Sequence, residues 1–184
     1  KIENVNIFKD ENISKFADIK KINISKNESF YLVNCHLNSF GISKEEIEYI
    51  NDIENIVKES ETHGKSVIHK LKSGFERRTQ STDLLLENLP DDTLPLIICG
   101  DFNDTPLSYT YNQMLKVGMK DAFITASRGI GKTYCGPLPL LRIDYFWYND
   151  YIDVVDYKRI KQTTSDHYPL IISFNIKEKV EEEQ

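Results

Sequence analysis

Hydrophobic positions alternate irregularly over the first 30 residues, through NVNIF and then FADIKKINI, until KNES interrupts them. The pattern predicts short strands joined by turns. ESFYLVNCHLNSFG is a clearer strand that ends at Asn38-Ser39 and Gly41. Ser43 then stands as an N-cap with Glu46 in the capping-box position. Tyr49, Ile50, Ile53, Ile56 and Val57 follow within an arc of about 120° on a helical wheel, which predicts an amphipathic helix with an acidic outer face. Gly64 breaks that pattern, and a second helix is predicted from about Ser66 to Leu89. Its stripe of Val67, Ile68, Leu71, Phe75, Leu85, Leu86 and Leu89 spans about 100°. Arg77 and Arg78 interrupt the middle of this helix, and Pro90 ends it.

LPLIICG is apolar and too short for a helix, so it reads as a buried strand. SYTYNQML predicts a short helix entered through a turn at Asp104-Thr105-Pro106, and RIDYFWY, DVVDYKRI and HYPLIISFNI return to strand. Strands cluster at both ends of the chain with helices between. That order predicts α/β (α+β) architecture, with two packed sheets and helices outside, and argues against a doubly wound parallel sheet.

Composition narrows the class. The 184 residues are 40% hydrophobic and 28% charged, enough for one domain with its own core. No apolar run approaches the roughly 18 residues of a membrane span, so the segment reads as soluble. Cysteines at 35, 99 and 135 form neither a disulfide framework nor a zinc spacing, and Cys35 and Cys99 read as reduced core residues. The chain opens at Lys1 without a signal-peptide pattern and reads as beginning partway through a longer protein. Net charge is −6, of which residues 44–61 carry −5. This leaves no strong basic patch for nucleic acid, although nucleic acid stays open as a partner.

Polar residues follow apolar strand runs at four places: Asn34-Cys35-His36-Leu37, Gly100-Asp101-Phe102-Asn103, Arg142-Ile143-Asp144-Tyr145 and Ser165-Asp166-His167. Strand ends hold side chains rigidly. If strand geometry persists, Asp101 and Asn103 point the same way, and Asp166 and His167 diverge. Three aspartates, one asparagine and two histidines make an oxygen-rich set that suits Mg²⁺ or Mn²⁺ better than zinc. Mg²⁺ usually shares its sphere with substrate phosphates, so the substrate class indicated is a phosphate ester. Taken singly, each residue has a plainer reading: Ser-Asp-His as a turn, or His36 as a core histidine. Asp144 is harder to dismiss, because a carboxylate in a strand that reads as buried needs a partner, and His167 is a natural one.

In order, VNCHLNS, ICGDFNDTP, LRIDYFW and TTSDHYPL resemble the endonuclease/exonuclease/phosphatase family. That family includes deoxyribonucleases, abasic-site endonucleases, sphingomyelinases and inositol phosphatases. The resemblance implies a four-layer α/β/β/α sandwich, a divalent metal, and water attacking phosphorus. It implies that Asp101 orients or deprotonates the water, that Asn103 positions it, and that Asp144 holds His167. By the same resemblance, His167 and His36 bind the phosphate, and Asp166, with Asp101, ligates the metal. The family's Gln-Glu segment does not precede His36, and Glu3, Glu11 and Glu28 stand in no comparable context. The expectation is therefore a C-terminal portion of the domain over residues 1–176, followed by a charged tail at 177–184. Such a piece would be weak or inactive alone. Its substrate would be a nucleic acid, phospholipid or sugar phosphate.

Two rivals arise. GIGKT at 129–133 approaches a phosphate-binding loop, but position 126 is Ala126 where glycine is required, and Tyr134-Cys135-Gly136-Pro137 reads as a turn where a helix should follow. The alternative that survives is a non-catalytic binding remnant of the same fold.

Overall fold

The computed structural model describes residues 1–4, 12–39, 61–90, 93–136, 140–162 and 164–177. The predicted Ser43–Val57 helix and residues 178–184 of the charged tail lie outside them. The order is β1 (Ile2–Asn4), a 3₁₀ turn (Ile13–Lys15), β2 (Ala17–Asn23), β3 (Ser29–His36), α1 (Glu61–Glu87), β4 (Leu96–Asp101) and α2 (Tyr109–Lys116). β5 (Lys120–Asp121), α3 (Ala122–Ala126), β6 (Asp144–Tyr148), β7 (Ile152–Arg159) and β8 (Leu170–Ile176) complete it.

Six strands form one mixed sheet in the order β1-β2-β3-β4-β6-β5, and β7 pairs with β8 in a second sheet. β4 lies at the centre, parallel to β3 and antiparallel to β6. Its side chains alternate between two cores, as a strand buried on both faces requires. Leu96 and Ile98 join Val33, Leu85, Met114 and Trp147 on the helix side. Ile97 and Cys99 join Tyr148, Ile152, Val154 and Phe174 between the sheets. Helices, the large sheet and the small sheet are thus the stacked layers of the family's sandwich. Among the described residues nothing covers the outer face of the small sheet, where Val155 and Ile171 are exposed.

Val155 is the extra residue of a bulge, since Val154 pairs with Phe174 and Asp156 with Ser173. The bulge changes which positions of β7 face inward. Ile152 and Val154 are buried before it, and Tyr157 after it.

Local chemistry sets the helix ends. Ser108 caps α2, its hydroxyl accepting from the Tyr111 N–H, and Asp121 caps α3 by accepting from Phe123. α1 runs through Gly64, where the pattern predicts a break. An interior glycine costs only about 1 kcal/mol relative to alanine, which a 27-residue helix absorbs. Its predicted apolar stripe is buried only in part. Leu85 is enclosed, whereas Ile68 and Phe75 are exposed, because α1 meets α2 and the 3₁₀ turn mainly through its C-terminal half. Arg78, read from sequence as an interruption, is fully buried. The short β5 and α3 carry no periodic signal and are additions to the sequence reading.

Candidate active site

Strand register builds the site. His36 pairs with Asp101 across β3 and β4, and Asp101 pairs with Asp144 across β4 and β6. Neighbouring strands lie about 4.8 Å apart, so the three residues form one row at the sheet's end. β3 and β4 approach closely at Cys35 and Gly100. Gly100 has φ +136°, and a Cβ there would lie 1.9 Å from the Cys35 carbonyl oxygen. Only glycine fits immediately before Asp101.

After Asp101 the strand geometry ends. Asn103 adopts φ 50° and folds back, so the sequence expectation that the two side chains project in parallel is corrected. Asparagine tolerates this left-handed conformation better than most residues. The Asn103 N–H donates to Asp101 Oδ1 at 2.7 Å, and Asn103 Nδ2 donates to Asp101 Oδ2 and to the Leu37 carbonyl, each at 2.9 Å. Asn103 therefore orients Asp101 and ties the ends of β3 and β4 together.

His167 closes the row from the segment before β8. Its Nδ1 lies 2.9 and 3.1 Å from the two Asp144 oxygens. A carboxylate only accepts, so Nδ1 carries the proton and Nε2 faces Asp101. That Nε2 is 3.9 Å from Asp101 Oδ2, and His36 Nε2 is 3.6 Å from the same oxygen. Both gaps exceed a direct hydrogen bond, so both imidazoles face Asp101 without bonding it directly. Asp166 is exposed, with Oδ1 accepting from the Ser165 hydroxyl.

Electrostatics follow from this crowding. Burial pushes the Asp101 carboxyl above the usual aspartate range, and the nearby Asp144 charge adds to the rise, against the opposing Asn103 N–H and the two histidines. For His167, burial disfavours the imidazolium. The Asp144 hydrogen bond and the charges of Asp144, Asp101 and Asp166 outweigh it, so its pKa is raised. Burial also pushes the Cys35 thiol well up, which keeps it a protonated core residue.

Ligand atoms of Asp101, Asp144 and His167 lie within 4.8 Å of one another. Two carboxylates and an imidazole fit a hard divalent cation in kind. Among the described residues, however, they supply fewer donors than the six of an octahedral Mg²⁺ site.

Residues that sequence reasoning left without a role support this cluster. Buried Thr133 accepts through Oγ1 from the Ile143 and Asp144 N–H groups at 3.0 and 3.1 Å, fixing the start of β6. Arg142 is buried against Asp121 at 2.5 Å and lies over the rings of Tyr111, Phe123 and Tyr145. Tyr134 bridges to His167, with ring centroids 5.4 Å apart. No periodicity marks such contacts. The signal available in sequence was the charge of Arg78 and Arg142 inside otherwise apolar segments.

The ordered motifs, the sandwich and the row of site residues define a class. Residues 61–167 match the model of the Endonuclease/Exonuclease/phosphatase family, and the chain belongs to that family. Solved structures share the fold. An endonuclease/exonuclease/phosphatase from Bacteroides vulgatus superposes with a TM-score of 0.58 at 20% identity, over 88% of this chain and 55% of that one. A mannosyl-6-phosphatase from Bacteroides thetaiotaomicron gives 0.57 at 17%, over 87% and 57%. An AP endonuclease from Archaeoglobus fulgidus gives 0.55 at 15%, over 86% and 65%. The chain thus spans less than two thirds of each of these relatives. No curated protein sequence matches it. No described helix is long and apolar enough to cross a membrane.

Proposed function

We propose that this domain hydrolyses phosphate esters, with water attacking phosphorus beside Asp101. The observation that carries the reading is the row of His36, Asp101 and Asp144 across three strands, closed by His167 against Asp144. Its structural likeness to a mannosyl-6-phosphatase and an AP endonuclease supports the reaction class. A nucleic acid, phospholipid or sugar phosphate would each satisfy it.

Asp101 takes the water's proton or orients it, and its raised pKa makes it a better base than an ordinary aspartate. Asn103 holds that carboxylate in place. His167, kept protonated by Asp144, donates from Nε2 to a phosphoryl oxygen or the leaving group, and exposed His36 reaches the phosphate from the other side. Asp101 and Asp166 would hold a divalent ion, Mg²⁺ or Mn²⁺, with Asp144 and His167 alongside. When bound, such an ion neutralises phosphoryl charge.

Hydrolysis of p-nitrophenyl phosphate and its bis-ester with Mg²⁺ or Mn²⁺ tests the reading. Asp101→Asn and His167→Ala should each lower turnover by about 10²–10⁴. Unchanged rates in both variants would remove it. The small donor set favours a second reading, a phosphate-binding site with little turnover, which the same assay identifies if phosphate binds and no ester is cleaved.

A further inference from the structure

Beside the catalytic row, the 127–132 loop and β7 enclose a concavity of about 580 Å³ that contains three cationic residues, Arg128, Lys132 and Arg159. Among the described residues no acidic side chain lines it. Among the described residues, no carboxylate pairs with any of the three. This is unusual in a chain of net charge −6. Like charges held together in a partly enclosed space repel unless an anion sits among them.

The cations are placed by the fold. The bulge at Val155 turns Tyr157 inward, and Arg159, two residues on, falls on the same face. Arg159 Nη1 donates to the Lys132 carbonyl at 2.5 Å, and its guanidinium lies 5.1 Å from the Tyr168 ring centroid. An arginine fixed in this way keeps further N–H donors for a planar pair of phosphate oxygens. Gly131, at φ 69°, seats the loop against Phe123, where a Cβ would come within 2.5 Å of the ring. Phe123 and Tyr157 give the cavity apolar walls suited to a carbon skeleton.

Both sides of the cavity lead directly to the catalytic row. Lys132 precedes Thr133, which fixes the Asp144 N–H, and the Tyr168 ring beneath Arg159 follows His167. The chain neighbours of Lys132 and Tyr168, Thr133 and His167, thus connect the cavity's cations to the row through their contacts with Asp144.

We propose that this cavity is an anion subsite for a second phosphate group on the same substrate. The designation as substrate rests on the phosphoesterase reading above; the anion site does not. Lys132 belongs to the GIGKT segment, which has Ala126 where a nucleotide-binding loop requires glycine and is followed among the described residues by a β-bridge at Tyr134. Here its charge serves an anion through tertiary placement.

The test is a ¹H–¹⁵N NMR titration of the full chain in EDTA, with fructose 6-phosphate and fructose 1,6-bisphosphate as probes. The bisphosphate should bind at least about tenfold more tightly than the monophosphate and shift the amides of 128–132, Arg159 and the Asp101–Asn103 segment saturably. Arg128→Gln/Lys132→Gln should abolish that preference. Neither side chain makes a hydrogen bond or ion pair among the described residues, and the Lys132 carbonyl that Arg159 needs is retained. Silent loop amides, or an unchanged preference in the double variant, would overturn the subsite. Loop shifts with a silent Asp101–Asn103 segment and His167 would keep the anion site and remove the phosphoesterase reading instead.

Discussion

Arg78 Nε lies 3.3 Å from Asp104 Oδ2, and the two side chains are 0% and 6% exposed. Arg78 Nη1 also donates to the Asn38 carbonyl at 3.1 Å. One helix residue thus grips the loop after His36 and the loop after Asn103. Asp104 in turn accepts from Thr110 and, through its carbonyl, from Tyr145. Arg78→Met leaves Asp104 charged and buried. Removing one partner of such a pair typically costs about 3–5 kcal/mol. Because both loops carry site residues, turnover should fall beyond what the lost folded fraction explains, with kcat affected more than KM. A variant that loses stability but keeps kcat per folded molecule would confine Arg78 to a stability role.

Gly100→Ala should be damaging for a different reason. The added methyl would meet backbone, the Cys35 carbonyl oxygen at 1.9 Å, at a φ that L-residues rarely adopt. β3 and β4 must separate there, at a cost of about 2–5 kcal/mol. The displacement falls on the His36–Asp101 pairing itself. Urea denaturation and the Asp101 amide chemical shift measure the two effects, and a variant with wild-type values for both would contradict the close approach.

The pH dependence has a definite sign. A raised His167 pKa means that the folded state holds the proton more tightly than the unfolded chain. The resulting stabilisation is complete below the unfolded value of about 6.5 and is lost as pH rises through the folded pKa. The stability advantage of wild type over His167→Gln should therefore shrink as pH rises above about 6.5. Asp101 is also raised, and its favourable contribution fades as pH climbs from about 4 through its folded value. Asp101→Asn should accordingly gain on wild type across that lower window. Denaturation midpoints that move in opposite directions would show that the cluster's charges are arranged differently.

Motifs and strands were legible where chemistry is local. VNCH, GDFN, RID and SDH sit at strand ends, and the short continuous apolar run LPLIICG marks a strand buried on both faces. The register that sets His36, Asp101 and Asp144 in one row depends on pairing between distant segments, which no local period encodes. Asn103 was misjudged because its left-handed turn stops the alternation that predicted a parallel projection. Arg78 was misread as a break in a helix face, because a buried cation is recognised only with its partner, and Asp104 lies 26 residues away. Gly64 was read as a break because a local cost was weighed without the length of the helix around it.

Metal affinity gives the most direct test of the donor set. Mg²⁺ demands near-octahedral geometry, whereas Asp101, Asp144 and His167 supply two carboxylates and one imidazole, with the imidazole's Nδ1 already committed to Asp144. Asp166 adds a carboxylate only if its exposed side chain turns inward. Affinity should therefore be no tighter than about 10⁻⁴–10⁻³ M, the range of sites with few charged ligands. Mn²⁺ titrated into the ¹⁵N-labelled chain should broaden Asp101, Asn103, Asp166 and His167 first, and Asp166→Asn should weaken that broadening without altering the His167–Asp144 contact. Hydrolysis by residues 1–184 alone should be correspondingly slow. Micromolar binding with rapid turnover would mean that a further acid completes the sphere, and the resonances broadened alongside Asp101 would identify it.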